Sequence, residues 1–114
     1  MTYEYIDPAP FERLLGLAAN SRHPALKTAL EQAPAEIDAI CTQVLAAMAD
    51  SRRDSVQALA HKMKGMAATL GAHQLKELAA ALMSPDAAVG ACAQAELREI
   101  CDKTRDEITR LLKQ

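Results

Sequence analysis

Twenty-four of the 114 residues are alanine, and the three aromatic residues, Tyr3, Tyr5 and Phe11, all fall within the first eleven positions. Only three valines and five isoleucines accompany them. Alanine, leucine, methionine and the long charged side chains favour helix, whereas β-branched and aromatic residues favour strands. A sandwich, a barrel or a parallel sheet built from this chain would lack the side chains that fill a pleated face. Half of the residues are apolar and a quarter are charged, a balance that supports a buried core and argues against disorder. At this length a single domain over residues 1–114 is expected.

The spacing of the apolar residues marks out the helices. After an N-terminal arm over residues 1–8, Asp7 followed by Pro8 and Pro10 signals a helix start with Asp7 as N-cap. A short helix to about Ala19 carries Phe11, Leu14, Leu15 and Ala18 on one stripe, and Asn20-Ser21 ends it. From Ala25 to Ala49 a helical period runs through Leu26, Ala29, Leu30, Ala33, Ile37, Ile40, Cys41, Val44, Leu45 and Met48. Pro34 falls inside this stretch and removes a backbone donor. The stripe stays in phase across it, so one long kinked helix is expected. Asp50 to Asp54 form a polar turn in which Ser51 or Asp54 is expected to cap a third helix over about 52–70. That helix has Val56, Leu59, Met63, Met66, Ala67 and Leu70 on its stripe and Gly71 as its stop. A shorter helix turns Leu75, Leu78, Ala79 and Leu82 inward and ends at Ser84-Pro85-Asp86. The last, from about Ala87 to Lys113, turns in Val89, Ala93, Leu97, Ile100, Cys101, Thr104, Ile108, Leu111 and Leu112. Short connections make neighbours antiparallel. The expected fold is therefore all-α: an antiparallel up-down-up-down four-helix bundle with a short extra N-terminal helix.

A formal net charge of -2 argues against a general nucleic-acid binder, which would carry a basic footprint. No run of 18 apolar residues is present, so no membrane span is expected. The opening Met-Thr-Tyr-Glu-Tyr has neither a basic stretch nor an apolar run, so no signal peptide is expected. Cys41, Cys92 and Cys101 are odd in number and lack a CxxC spacing. Neither a disulfide framework nor a metal site is expected from them, and a reducing cytoplasm is the natural compartment. They read as small hydrophobes on or beside the apolar stripes.

One segment breaks the local rules. Residues 57 to 72 read Gln-Ala-Leu-Ala-His-Lys-Met-Lys-Gly-Met-Ala-Ala-Thr-Leu-Gly-Ala. At 100° per residue His61 lies about 200° from Met63 and points to solvent, with Gln57 one turn before it, Lys64 and Gly65 one turn after, and Ala68 two turns after. Glycine inside a helix costs roughly 1 kcal/mol relative to alanine, and this sequence uses alanine freely. An exposed glycine one turn from a histidine implies that something large approaches that face. A free imidazole is largely neutral and nucleophilic near neutral pH. Lys64 is placed to pair with a dianionic group carried on it.

His61-Lys62-Met63-Lys64-Gly65 through Gly71-Ala72 resembles the H-x-x-K-G-x-x-x-x-x-G-A signature of histidine-containing phosphotransfer (HPt) domains. The likeness extends back through Ala29 to Glu36, similar to a family helix with an internal proline, and forward through Leu75, Leu78 and Leu82 to Ser84-Pro85-Asp86. The last helix is similar in length and amphipathicity. The resemblance implies a phosphorelay intermediate in which His61 accepts a phosphoryl group, usually at Nε2, from a receiver-domain aspartate and passes it to another. It implies that Lys64 stabilises the phosphoryl charge and that Gly65 lets the receiver close in. Gln57, Lys62 and Ala68 join Gly65 as partner-contact positions, and Arg52 and Arg53 add positive charge suited to an acidic receiver surface. It further implies no kinase or phosphatase activity and no cofactor of its own, the Mg²⁺ being supplied by the receiver. Partners would be receiver domains of response regulators or of a hybrid sensor kinase, met by a monomer. One position departs: many family members carry Gln or Glu 22 residues after the histidine, and here that position is Met83. Gln57 is a candidate substitute for the missing hydrogen bond to the ring. The alternative is a non-catalytic module that engages a receiver or kinase without carrying phosphate.

Other features carry blander readings. His23 precedes Pro24 at a helix start, and His73 opens the fourth helix, near enough to the motif for a minor partner contact. Met48, Met63 and Met66 fill the core, the charges from Glu96 to Arg110 form a solvated face, and the N-terminal aromatics cap one end of the bundle.

Overall fold

A proline in a helix interior removes one hydrogen bond, yet Pro34 lies within a continuous helix of 26 residues. In the computed structural model, which describes residues 3–19 and 24–113, the helices are α1 (Pro8–Ala18), α2 (Pro24–Ala49), α3 (Arg53–Leu70), α4 (His73–Leu82) and α5 (Ala91–Leu112). The described residues contain no strand. Leu30, Ala33, Ile37, Ile40, Cys41, Val44 and Met48 of α2 are all buried, so the core-facing stripe continues on both sides of the proline. The single-helix expectation holds.

Packing follows chain order. α2 packs on α3, α3 on α4, α4 on α5, and α5 returns to α2, while α1 lies against α2 and α3. Short connections and this ring of neighbours give the expected four-helix bundle with an extra N-terminal helix. Its extents are 44 × 26 × 19 Å. The interior alternates bulky and small residues: Ile37, Met48, Met63, Leu75, Leu97 and Ile108 beside Ala33, Ala47, Ala60, Ala67 and Ala79. Buried alanines let helix backbones approach closely, so an alanine-rich chain can still fill a core. No helix among the described residues is long and apolar enough to cross a membrane.

The N-terminal arm is fixed by one acid. Glu107 on α5 is 6 % exposed. Its Oε1 accepts the Glu4 N–H at 2.9 Å, and its Oε2 accepts the N–H groups of Tyr5 at 3.0 Å and Ile6 at 2.7 Å. Arg110 Nη2 lies 3.5 Å from Oε1. A buried carboxylate is tolerated when hydrogen bonds and a counter-charge replace its water, and here three consecutive backbone donors and a guanidinium do so. The arm then runs to the α3–α4 corner, where the Asp7 N–H donates to the Gly71 carbonyl at 2.6 Å and Gln74 Nε2 donates to the Glu4 carbonyl at 2.9 Å. Ile6 and Phe11 are fully buried beneath it. Asp7 caps α1 as expected, its Oδ1 accepting the Ala9 N–H at 3.3 Å.

Several expectations need correction. The charges of the last helix are not all solvated: Glu107 is buried because its partners lie about 100 positions earlier in the chain. α5 begins at Ala91 instead of Ala87. Arg53 Nη1 donates to the carbonyls of Pro85 at 3.0 Å and Ala87 at 2.8 Å, which holds those carbonyls away from helical pairing. Neither Ser51 nor Asp54 caps α3: the N-cap is Arg52 without a side-chain bond, Ser51 takes a left-handed turn at φ 54°, and Asp54 sits in the first turn. Leu26, Leu59 and Met66 are only half-buried and Ala29 is exposed, whereas Ile6, Ala47, Ala60 and Ala72 join the core. Tyr3 and Tyr5 are half-buried beside the bundle end that Phe11 closes. The breaker at Asn20-Ser21 and His23 lie outside the described residues.

Replacing Glu107 with alanine strips one buried and two part-buried N–H groups of their acceptor. The expected loss is about 2–4 kcal/mol of unfolding free energy, read by urea denaturation at neutral pH. Thr104 offers the converse case. Its hydroxyl is fully buried without a partner among the described residues, so Thr104→Val is expected to stabilise the fold by about 1 kcal/mol.

Candidate functional site

α3 turns Val56, Ala60, Met63, Ala67 and Leu70 into the core. Its opposite face is therefore fixed, and it carries His61, Gly65 and Ala68, all exposed. Gln57 and Lys64 sit at the edge of that face and are half-buried. Lys62 is exposed but lies one residue round the helix, on the α2 side. There it lines a groove of about 330 Å³ with Glu36, Ala39, Ile40, Gln43 and Met66. Glu36 and Met66 also line a second, more apolar groove of about 190 Å³ that reaches Leu14, Leu26 and Leu70. A trough thus runs along the α2–α3 side from Lys62 toward α1.

The two glycines of the motif answer to different constraints. A Cβ added at Gly65 would meet no atom within 4 Å beyond its own helix. Nothing in the fold requires glycine there, and alanine would favour the helix. Gly71 is the reverse. It ends α3 in the left-handed region at φ 75°, and a Cβ there would lie 2.8 Å from Pro10 Cγ and 3.1 Å from the Asp7 carbonyl oxygen. Gly71 is demanded by the helix stop and by the docked arm. Thr69 Oγ1 donates to the Gly65 carbonyl at 3.1 Å, adding a bond to the turn where the helix lacks a side chain.

The positive charges divide in the same way. Arg53 is committed to the loop after α4, and Arg52 makes an exposed pair with Asp50 at 3.4 Å. Lys62 and Lys64 have no ion-pair partner among the described residues. The expected hydrogen bond from Gln57 to the imidazole is not formed. Met83 caps α4 through its backbone and packs, half-buried, against the core, so its thioether offers the ring no strong acceptor. His73 opens α4 beyond the C-terminal end of α3, roughly 14 Å of helix from His61, which separates it from the face. Sequence reasoning missed the trough beside Lys62, because half-buried Met66 and exposed Ala39 look like ordinary stripe residues until the helices are assembled.

The bundle thus holds His61 exposed on a helix face whose following turns carry only Gly65 and Ala68. A family model for the Hpt domain matches residues 24–114, and the chain belongs to that family. Hpt domains act in phosphotransfer of two-component signalling, carry phosphate without kinase activity of their own, and interact with receiver domains and kinases. Neither the curated proteins nor the solved structures yield a match.

The glycine contrast is measurable without any partner. Gly65→Ala is expected to leave stability unchanged or raise it by up to about 1 kcal/mol. Gly71→Ala is expected to lower it by about 2 kcal/mol or more, through the strained φ and the contact with Pro10. Parallel denaturant titrations of the two variants check both signs.

Proposed function

We propose that His61 is the phospho-acceptor of a phosphorelay and exchanges a phosphoryl group with aspartates of receiver domains. The observation that carries this is the exposed imidazole one helical turn from Gly65, a glycine that the fold itself does not need. The Nε2 lone pair attacks the phosphorus of the receiver's aspartyl phosphate. The phosphorus–oxygen bond to the carboxyl breaks, the aspartate carboxylate leaves, and the ring keeps its proton on Nδ1. Delivery to a second receiver reverses these steps. Lys64 places its ammonium beside the phosphoryl oxygens, and Gly65 and Ala68 admit the receiver surface. Lys62 and the trough beside it supply contact area, with apolar walls for association and charge for steering. Mg²⁺ comes with the receiver, and this chain works as a cytoplasmic monomer with no cofactor of its own.

The imidazole without a side-chain hydrogen-bond partner among the described residues, and Met83 at the family's Gln/Glu position, favour one second reading: a module that binds a receiver or kinase without carrying phosphate. The two separate in one experiment. Receivers charged by a small phosphodonor and Mg²⁺ are mixed with the chain, and intact mass is followed. An acid-labile, base-stable gain of one phosphoryl group, absent from His61→Gln, is expected. Binding without that gain, across a broad receiver panel, would replace the carrier reading with the binding one. Gly65→Leu is expected to slow transfer about tenfold or more with its thermal midpoint nearly unchanged, and Lys64→Ala to slow it about tenfold. Undiminished transfer in Gly65→Leu would remove the close-approach argument.

A further inference from the structure

α1 lies outside the span that the Hpt model matches, yet it completes the trough that begins at Lys62. Leu14 walls the far groove opposite Leu26, Met66 and Leu70. Leu17, three residues on, is 42 % exposed and is the one large apolar side chain exposed among the described residues. Helix residues three apart are neighbours, so Leu14 and Leu17 make one apolar edge running from the groove out to solvent. α1 has only 11 residues, too few to hold a helix in water unaided. It packs on α2 and α3 and not on α5 among the described residues. Its start is nevertheless anchored through α5. Glu107 accepts the N–H groups of Glu4, Tyr5 and Ile6. The next residue, Asp7, donates its N–H to the Gly71 carbonyl and caps α1 through its Oδ1. Tyr3 Oη donates to Glu12 Oε1 at 3.3 Å, a second tie from the arm to α1. A chain of printed bonds thus runs from a buried acid on α5 to a helix that α5 does not touch.

We propose that Glu107 is a positioning residue for the partner: by holding the N-terminal arm it keeps α1, with Leu14 and Leu17, as the far wall of the surface on which a receiver domain docks. This rests on the receiver docking proposed above. The occupant is argued from continuity and charge. Lys62 lies beside the His61 face and also lines the near groove, and Glu36 and Met66 are shared by the near and far grooves. A receiver that reaches His61 and meets Lys62 with its acidic surface therefore has the apolar edge of α1 next along its path. Glu107 touches neither the imidazole nor the trough. Its effect passes through the arm, so it bears on how tightly the receiver docks and not on the transfer step. In Glu107→Gln an amide donor replaces one carboxylate oxygen and faces other donors. At least one of the three backbone N–H groups then loses its acceptor.

The test uses the full chain carrying Glu107→Gln, with Gln74→Ala as a milder variant that removes only the bond to the Glu4 carbonyl. Both are studied where circular dichroism shows them folded. Amide hydrogen exchange over the arm and α1 is expected to speed about tenfold in Glu107→Gln and less in Gln74→Ala, with α2 unchanged. Transfer from a charged receiver is then followed against receiver concentration. The half-saturating concentration is expected to rise about threefold or more, with the rate at saturation within about twofold of the wild type. In a chain already carrying Leu14→Ala and Leu17→Ala, Glu107→Gln is expected to add less than about twofold. Unchanged exchange in α1, an unchanged half-saturating concentration, a loss confined to the rate at saturation, or full additivity with the leucine variants would each overturn the proposal. A chain that binds receivers without accepting phosphate would show the same shift as a rise in dissociation constant. Failure of the carrier reading and failure of this one are therefore separate results.

Discussion

The packing of α3 through Ala60, Met63 and Ala67 decides which side of that helix meets water. These three residues are fully buried, and two of them are small enough to let neighbouring helices press close. Once they face inward, helical geometry leaves no freedom to the rest: His61, Gly65 and Ala68 must face out. The flanks follow from the same placement. α4 covers one side, and α2 and α1 cover the other, where Lys62 and Met66 meet Glu36 across the trough. An exposed histidine on an isolated helix would be an accident of the surface. Held by a rigid four-helix frame, it has a fixed direction of approach.

The motif glycines show why a pattern of residues does not by itself give a pattern of causes. Both match the same signature, yet Gly71 is required by its φ of 75° and by Pro10, while Gly65 has open space where a side chain would go. Gly71 therefore belongs to the fold. At Gly65 the fold sets no such demand, and the open space there is what the close approach proposed for a receiver would use. That difference between the two glycines is invisible in the sequence.

Much of this was legible in the chain before any coordinates. Alanine content and a 3.6-residue period locate the helices, because both act locally. Asp7 and Gly71 mark boundaries for the same reason, their capping chemistry being confined to a few residues. The face holding His61, Gly65 and Ala68 follows from angles along one helix. What could not be read depends on distant partners. Arg53 looks like a free surface cation until the loop carbonyls of Pro85 and Ala87 come to it. The polar turn at Asp50 to Asp54 offers two good capping residues, yet the backbone turns left-handed at Ser51 and neither caps. Cys41 and Cys101 each fit an apolar stripe and are buried in the core as that stripe implies.

Glu107 is the sharpest instance, and it bears on where the working unit begins. The Hpt match covers residues 24–114 and so includes this acid. Its three backbone partners, Glu4, Tyr5 and Ile6, lie outside that span. Within the matched segment alone, Glu107 would be a carboxylate facing the end of the bundle with Arg110 beside it and nothing to replace the lost donors. The N-terminal arm and α1 are thus structurally joined to the rest: they satisfy a charge on α5, seat Asp7 on the Gly71 carbonyl, and bring Leu14 to the end of the trough. The same helix, α3, ends in this tightly bonded corner and carries, roughly 14 Å away, the exposed His61, whose ring has no side-chain partner among the described residues. That asymmetry suits the docking proposed for this face, because the helix stays fixed at its bonded end while the surface over His61 changes.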